Sequence, residues 1–125
     1  MIQAKEYKIG NWIVDWETEE KYFQIEEIRK YIGYEVWVYY RNGSIKCKEP
    51  EPIELSEEIL LKCGFEKRMG LFVFGYFEIG LDGFDFVNNE KTIRINKCLS
   101  LKIKYLHQLQ NLIHALTNEE LTVIL

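Results

Sequence analysis

The amino-acid sequence predicts an α+β fold in which short antiparallel strands outnumber helices, and three observations carry the prediction. Eighteen of the 125 residues are Phe, Tyr or Trp and they concentrate in short runs bounded by turn residues, the setting in which aromatic side chains pack on a pleated surface. The stretch from Tyr105 to Thr117 repeats its apolar residues at spacings of three and four, the period of a helix with one buried stripe. Ser56 to Gly64 carries a helix start and a helix stop within nine residues. A chain of 125 residues builds one self-sufficient core, so residues 1–125 are expected to form a single domain, with a strand-rich half at 1–48 and a second half at 49–125.

In the first half, Tyr7 to Trp16 reads as a strand interrupted at Gly10-Asn11, Lys21 to Ile28 as a second and Tyr34 to Arg41 as a third. Asn42-Gly43 then predicts a two-residue type I′ hairpin returning through Ser44 to Lys48. Four short strands joined by tight turns predict a small SH3-like antiparallel barrel or curled sheet. Such units bind peptides or nucleic acids in several families, and the fold alone fixes neither.

Pro50 and Pro52 push their predecessors out of helical geometry, so Glu49 to Leu55 is read as an extended connection. It delivers a short helix with Ser56 as N-cap, Glu57 and Glu58 at the positive end of the dipole, and Leu55 stapled to Leu60. Gly64 ends it and Phe65 returns towards Leu60. A meander follows: a short strand before Met69-Gly70, a long one from Leu71 to Ile79, then Phe84 to Val87 and Thr92 to Asn96, with turns at Asp82-Gly83 and Asn88-Asn89. The long strand is apolar on both faces and is expected to be covered on two sides. From Ile93 to Ile103 the apolar residues share one parity, leaving Arg94, Lys102 and Lys104 as a basic row on the other.

The C-terminal helix is expected to pack on the sheet through Leu106, Leu109, Leu112, Ile113 and Leu116. Asn118 is suited to stop it in a left-handed conformation, and Thr117 with Glu120 predicts a capping box for one further turn. No charged residue occurs from Tyr105 to Asn118; the other side of the helix offers His107, Gln108, Gln110, Asn111 and His114. Neutral amides and imidazoles exchange hydrogen bonds without the desolvation cost of a buried ion, so this face suits a semi-buried contact. That contact is either internal packing or a partner surface, and His107, Gln110, Asn111 and His114 are the candidate protein-binding residues.

Two stretches, PIELSEEILLKCGFEK at Pro52 to Lys67 and IKYLHQLQNLIHALTNEEL at Ile103 to Leu121, resemble a family of small uncharacterised proteins of gut anaerobes and their prophages. Its members carry a PIxLTEEWLLKFGF-like segment and a KYVHQLQNLYFALTGEEL-like end. Here Ser56 stands where Thr is usual, Ile59 where Trp is usual and Asn118 where Gly is usual, each compatible with the same structural role. The resemblance implies a prophage or mobile-element context and supplies no mechanism.

Several chemistries are not indicated. His107 and His114 are seven residues apart, about 10 Å along a helix at ~1.5 Å per residue, which is too far for one ion to join. Cys47, Cys63 and Cys98 lack CxxC spacing, so neither a disulfide framework nor a zinc cluster is expected and the thiols read as reduced and mostly buried. Asp82, Asp85, Asn88 and Glu90 lack the alternating order of a calcium loop, and the glycines lack the Lys-Ser/Thr of a phosphate cradle. Cys98 reads as a buried thiol, not as a nucleophile. No metal, cofactor or catalytic residue is therefore expected. The net charge is −4, from 16 basic and 20 acidic residues, which argues against nucleic-acid binding by bulk electrostatics. An acidic run, Glu49 to Glu58, and a basic run, Lys91 to Lys104, read as solvated faces that oppose each other. No signal-like or membrane-spanning apolar run is present, so a cytoplasmic protein without membrane contact is expected.

The leading functional expectation is a non-catalytic accessory protein of a prophage or mobile element that binds a protein partner. The alternative is weak nucleic-acid binding, with aromatics of the SH3-like half stacking on bases and Arg94, Lys102 and Lys104 contacting phosphates. A homodimer is also expected. Phe72, Phe74 and Tyr76 on one side of a strand and Val73 and Phe77 on the other require two covering layers, while Trp12, Trp16, Trp37 and Tyr39 need shelter of their own.

Overall fold

A computed structural model describes residues 6–33, 35–74, 77–85, 90–95, 99–101 and 103–125. The fold is α+β, with three antiparallel sheets and two helices among the described residues. The first sheet places β1 (Trp12–Val14) between β2 (Tyr22–Gln24) and β6 (Glu51–Pro52). The second is β3 (Glu27–Lys30), β4 (Val36–Tyr40) and β5 (Ile45–Cys47).

These six strands do not close into a barrel, because the expected strand over Lys21 to Ile28 is broken in the middle. Ile25 is buried and both of its backbone groups are bonded back to the first turn: Gly10 N–H donates to its carbonyl at 2.8 Å and its own N–H donates to Asn11 O at 2.9 Å. The chain is thereby free to pair with β1 before Ile25 and with β4 after it. The hairpin at Asn42-Gly43 forms as the dipeptide predicts. Ser44 N–H donates to Arg41 O at 3.1 Å, and φ is 55° at Asn42 and 78° at Gly43, the two positive values a type I′ turn needs.

Period-two alternation distributes these strands over two cores. Ile13, Phe23, Ile25, Val38 and Tyr40 pack with Tyr7 in one cluster, while Val14 points the opposite way into the second. The second cluster is built mainly from the rest of the chain. Helix α1 (Glu57–Lys62) starts at Ser56, whose Oγ accepts from Ile59 N–H at 3.2 Å. It ends in a paired closure, with Gly64 N–H donating to Leu61 O and Phe65 N–H to Leu60 O, each at 3.1 Å, and Gly64 at φ +87°. Ile59, Leu60, Cys63 and Phe65 enter the core together.

The meander departs from the strand pattern read in the sequence. Strands β7 (Glu66–Arg68), β8 (Leu71–Phe74), β9 (Phe77–Asp85), β10 (Glu90–Ile95) and β11 (Leu99–Leu101) form one sheet in the order 11-10-9-8-7. The expected long strand from Leu71 to Ile79 is two strands. Phe74 pairs with Phe77 and Phe72 with Ile79, so the chain reverses between them. That reversal puts Phe72 and Ile79 on the same buried face, although their spacing in one strand would have opposed them. Asp82-Gly83 is no turn either: β9 runs through it to Asp85, and the irregularity falls between Thr92 and Arg94 of β10. Asn88-Asn89 and Tyr76 lie outside the described residues.

Helix α2 (Leu106–Thr117) buries Leu106, Leu109 and Ile113, with Leu112 half-buried, but Leu116 is exposed and does not continue the stripe. Tyr105 is its N-cap, and Gln108 Oε1 accepts from the N–H groups of Lys104 and Tyr105 at 2.8 and 3.1 Å. Asn118 closes it at φ 60°. The further turn expected beyond Thr117 does not form. The Thr117 hydroxyl donates to Ile113 O at 2.7 Å and accepts from Glu119 N–H at 3.1 Å, and the tail continues without helix to place Leu121 and Val123 in the second core. That core therefore draws on β1, α1, the meander, α2 and the tail.

Gly64 generates a prediction. Its positive φ disfavours any residue with a Cβ, while an added methyl would meet Phe74 at an ordinary 3.6 Å. Gly64→Ala is expected to cost about 1–2 kcal/mol through the backbone alone and to lower Tm by roughly 3–8 °C. An unchanged Tm would show that the helix closure does not depend on the left-handed conformation.

Candidate functional site

The neutral face of α2 meets the turn that precedes β1. Gln110 Oε1 accepts from Trp12 N–H at 2.9 Å, and its Nε2 donates to Gly10 O at 3.2 Å. Asn111 follows it in the helix, its Oδ1 accepting from Asn11 Nδ2 at 2.9 Å, while Asn11 Oδ1 accepts from Lys8 N–H at 2.7 Å. Amide side chains are suited to this because each offers a donor and an acceptor. The turn itself was legible in the sequence as Gly10-Asn11, whereas its pairing with residues some hundred positions later was not.

His107 lies one helical turn before Gln110 and Asn111 and is 1 % exposed. Its ring is 4.2 Å from that of Tyr7 and 5.9 Å from that of Tyr105, and Nδ1 has no hydrogen-bond partner. Burial lowers its pKa to about 4, against a smaller opposing pull from Glu6. Tyr7 donates to Pro50 O at 3.0 Å, and its own pKa is raised, chiefly by burial. Of the four residues expected to face a protein partner, His107 and Gln110 are thus enclosed within the chain. Asn111 is half-buried against Asn11, and His114 is half-buried at the helix end with Nε2 3.7 Å from Glu120.

The basic row of Arg94, Lys102 and Lys104 is not one strand face. The chain folds back between β10 and β11, setting Arg94 opposite Ser100. Lys102 lies outside the described residues, and Lys104 is exposed with its ammonium 5.6 Å from the Tyr105 ring. A different basic and aromatic surface exists on the outer face of β3–β5. There Lys46 and Lys48 stand 4.9 and 5.3 Å from the Trp37 ring, and Arg29 stands 4.6 Å from that of Tyr39.

An open surface lies where β1 ends. The loop from Asp15 to Lys21 folds on itself: Asp15 N–H donates to Lys21 O at 2.6 Å, Glu17 N–H to Asp15 Oδ1 at 3.0 Å and Lys21 N–H to Thr18 Oγ1 at 3.2 Å. Tyr40 OH anchors it from the core by donating to Asp15 Oδ2 at 2.8 Å; burial, and then that carboxylate, raise the tyrosine pKa. The result is a held Trp16 that remains 60 % exposed, with the Lys21 ammonium 5.6 Å from its ring. Grooves of about 560 and 440 Å³ lie on either side and share Val14, Trp16 and Glu51 as walls. The first runs between the β1–β6 sheet and the start of α1, the second between β1 and β5.

No protein-family model, curated protein or solved structure matches the chain. Function is therefore read from these surfaces. Among the described residues, no group of three His, Cys, Asp or Glu side chains is placed to hold a metal ion. Burial pushes the Cys63 thiol up to about 12 and also raises that of Cys47, which leaves both poorly reactive; Cys98 lies outside the described residues.

His107 makes folding sensitive to acid. Its pKa of about 4 in the fold lies below the ~6.5 of an unfolded chain, so the unfolded state binds more protons between these values. The stabilisation is complete above about pH 6.5 and is lost as pH falls through about 4, a difference of roughly 3 kcal/mol. His107→Phe keeps an aromatic ring between Tyr7 and Tyr105 and removes the titration. Urea unfolding from pH 7 to 4 is expected to lose stability more steeply in the parent than in this variant; equal slopes would show that His107 does not carry the effect.

Proposed function

We propose that the protein is a non-catalytic interaction module of a prophage or mobile element that takes a polypeptide partner at Trp16. The observation that carries the reading is an exposed tryptophan held by a bonded loop between two open grooves. Large aromatic anchors of this kind concentrate binding energy at protein interfaces. Open grooves on both sides suit an extended chain better than a small ligand, which needs enclosure on most of its surface. The resemblance to prophage proteins read in the sequence supplies the context of this proposal. A homodimer is proposed at a separate surface, where exposed Leu61, Phe74 and Ile124 beside a groove of about 570 Å³ form the apolar patch a second copy would cover.

Nucleic-acid binding is the second reading, favoured by the Trp37 surface with its flanking lysines. It ranks lower because two of the cations there are already paired, Arg29 with Glu27 at 2.7 Å and Lys48 with Glu35 at 2.8 Å, and a chain of net charge −4 repels a polyanion.

Selection of a displayed random-peptide library on the intact protein tests the first reading. A pool retained by the parent and lost on Trp16→Ala is expected, since an exposed side chain can be truncated without disturbing the core; absence of any such pool would reject it. For the second, a gel shift at ~50 mM salt, where phosphate contacts are strong, is expected to show no more than weak binding that Trp37→Ala abolishes. If neither DNA nor RNA shifts, that reading falls.

A further inference from the structure

We infer that the polypeptide held at Trp16 is a basic one, an extended segment carrying Lys or Arg at alternate positions. The inference rests on the reading of the Trp16 grooves as a binding surface and adds the chemistry of the occupant. Among the described residues the charged lining of the two grooves is Asp15, Glu17, Glu49, Glu51, Glu54 and Glu58, against one base, Lys46. Lys62 partly offsets Glu58 at 3.2 Å.

The aromatic centre has the same preference as its rim. A tryptophan face attracts cations through its quadrupole, and here Lys21 of the chain already lies over the ring at 5.6 Å. Lys21 is exposed and belongs to the turn, not to a packed layer, so an incoming cation can share or replace it at little cost. An anionic partner would meet six carboxylates, which excludes nucleic acid and anionic lipid from this surface.

Spacing narrows the class further. Glu49, at the bend that precedes β6, and Glu51, in β6, are exposed while Pro50 between them is buried, so the two carboxylates flank one buried residue. Alternate residues of an extended chain are about 6.6 Å apart on one side. A partner in the same conformation repeats its side chains at that interval, so Lys-x-Lys-x-Lys or its Arg counterpart sets two cations against Glu49 and Glu51 and leaves a third for Trp16.

Sequencing the peptides recovered from the library gives the test, with binding of one recovered peptide measured by titration. The Trp16-dependent pool is expected to be enriched in Lys and Arg. Its peptides should bind roughly tenfold more weakly to the exposed double variant Glu49→Gln, Glu51→Gln and weaken between about 50 and 500 mM salt. A Trp16-dependent pool that is neutral or acidic, or one indifferent to the double variant and to salt, overturns the inference and leaves the Trp16 surface standing as a binding site. No Trp16-dependent pool overturns both.

Discussion

Strand β1 is the constraint on which the rest depends, because it is only three residues long and is claimed by two cores. Ile13 is 1 % exposed in one cluster and Val14 is buried in the other. A strand enclosed in this way must have its backbone satisfied from inside the protein, since each unpaired buried amide costs about 1–3 kcal/mol. Neighbouring strands pair with it from Trp12 to Val14, and Gln110 supplies the remaining partner at Trp12 N–H from a distance of 98 residues in sequence. The absence of charge on that side of α2 follows. A lysine or glutamate there would have to leave water to occupy the same place, whereas an amide makes both bonds as a neutral group.

His107 is the weak member of the same contact. It fits between Tyr7 and Tyr105 as an aromatic ring, but its Nδ1 is left without a partner. An unpaired buried nitrogen is tolerable while the imidazole is neutral and costly once it is charged, so the joint between α2 and the N-terminal segment is held by packing that acid weakens. The polar network of Gln110, Asn111 and Asn11 next to it carries no such liability, because none of its members titrates.

The far end of β1 has the opposite character. Where the start of the strand is closed by α2, its end passes into a loop anchored by Tyr40 on Asp15 and then into solvent at Trp16. The acidic connection from Glu49 to Glu54 runs beside it because β6 must pair with β1, with Val14 opposite Glu51. Enclosing one end of the strand and exposing the other thus brings a fixed tryptophan and a line of carboxylates together, which is the arrangement the proposed function uses.

By itself the sequence determined the features whose causes lie within a few residues. These are the Ser56 cap and Gly64 closure of α1, the Asn42-Gly43 hairpin and the stop of α2 at Asn118; hydroxyl capping and tolerance of positive φ decide each of them locally. The α+β class was legible for the same reason, as were the buried Leu106, Leu109 and Ile113. Tertiary structure alone decided where strands end and what faces what. Ile25 breaks a run that reads as one strand because it bonds to Gly10 and Asn11, Phe74 and Phe77 pair across a reversal hidden in an apolar stretch, and Arg94 is separated from Lys104 by a hairpin. The same holds for His107 and Gln110, legible as an unusual neutral face yet enclosed by segments far away in the chain, and for Trp16, exposed in the loop after β1 while Tyr39 within β4 is buried. Period and propensity describe one segment at a time, whereas pairing and burial depend on which distant segment arrives to satisfy the backbone, and that information is carried by no single stretch.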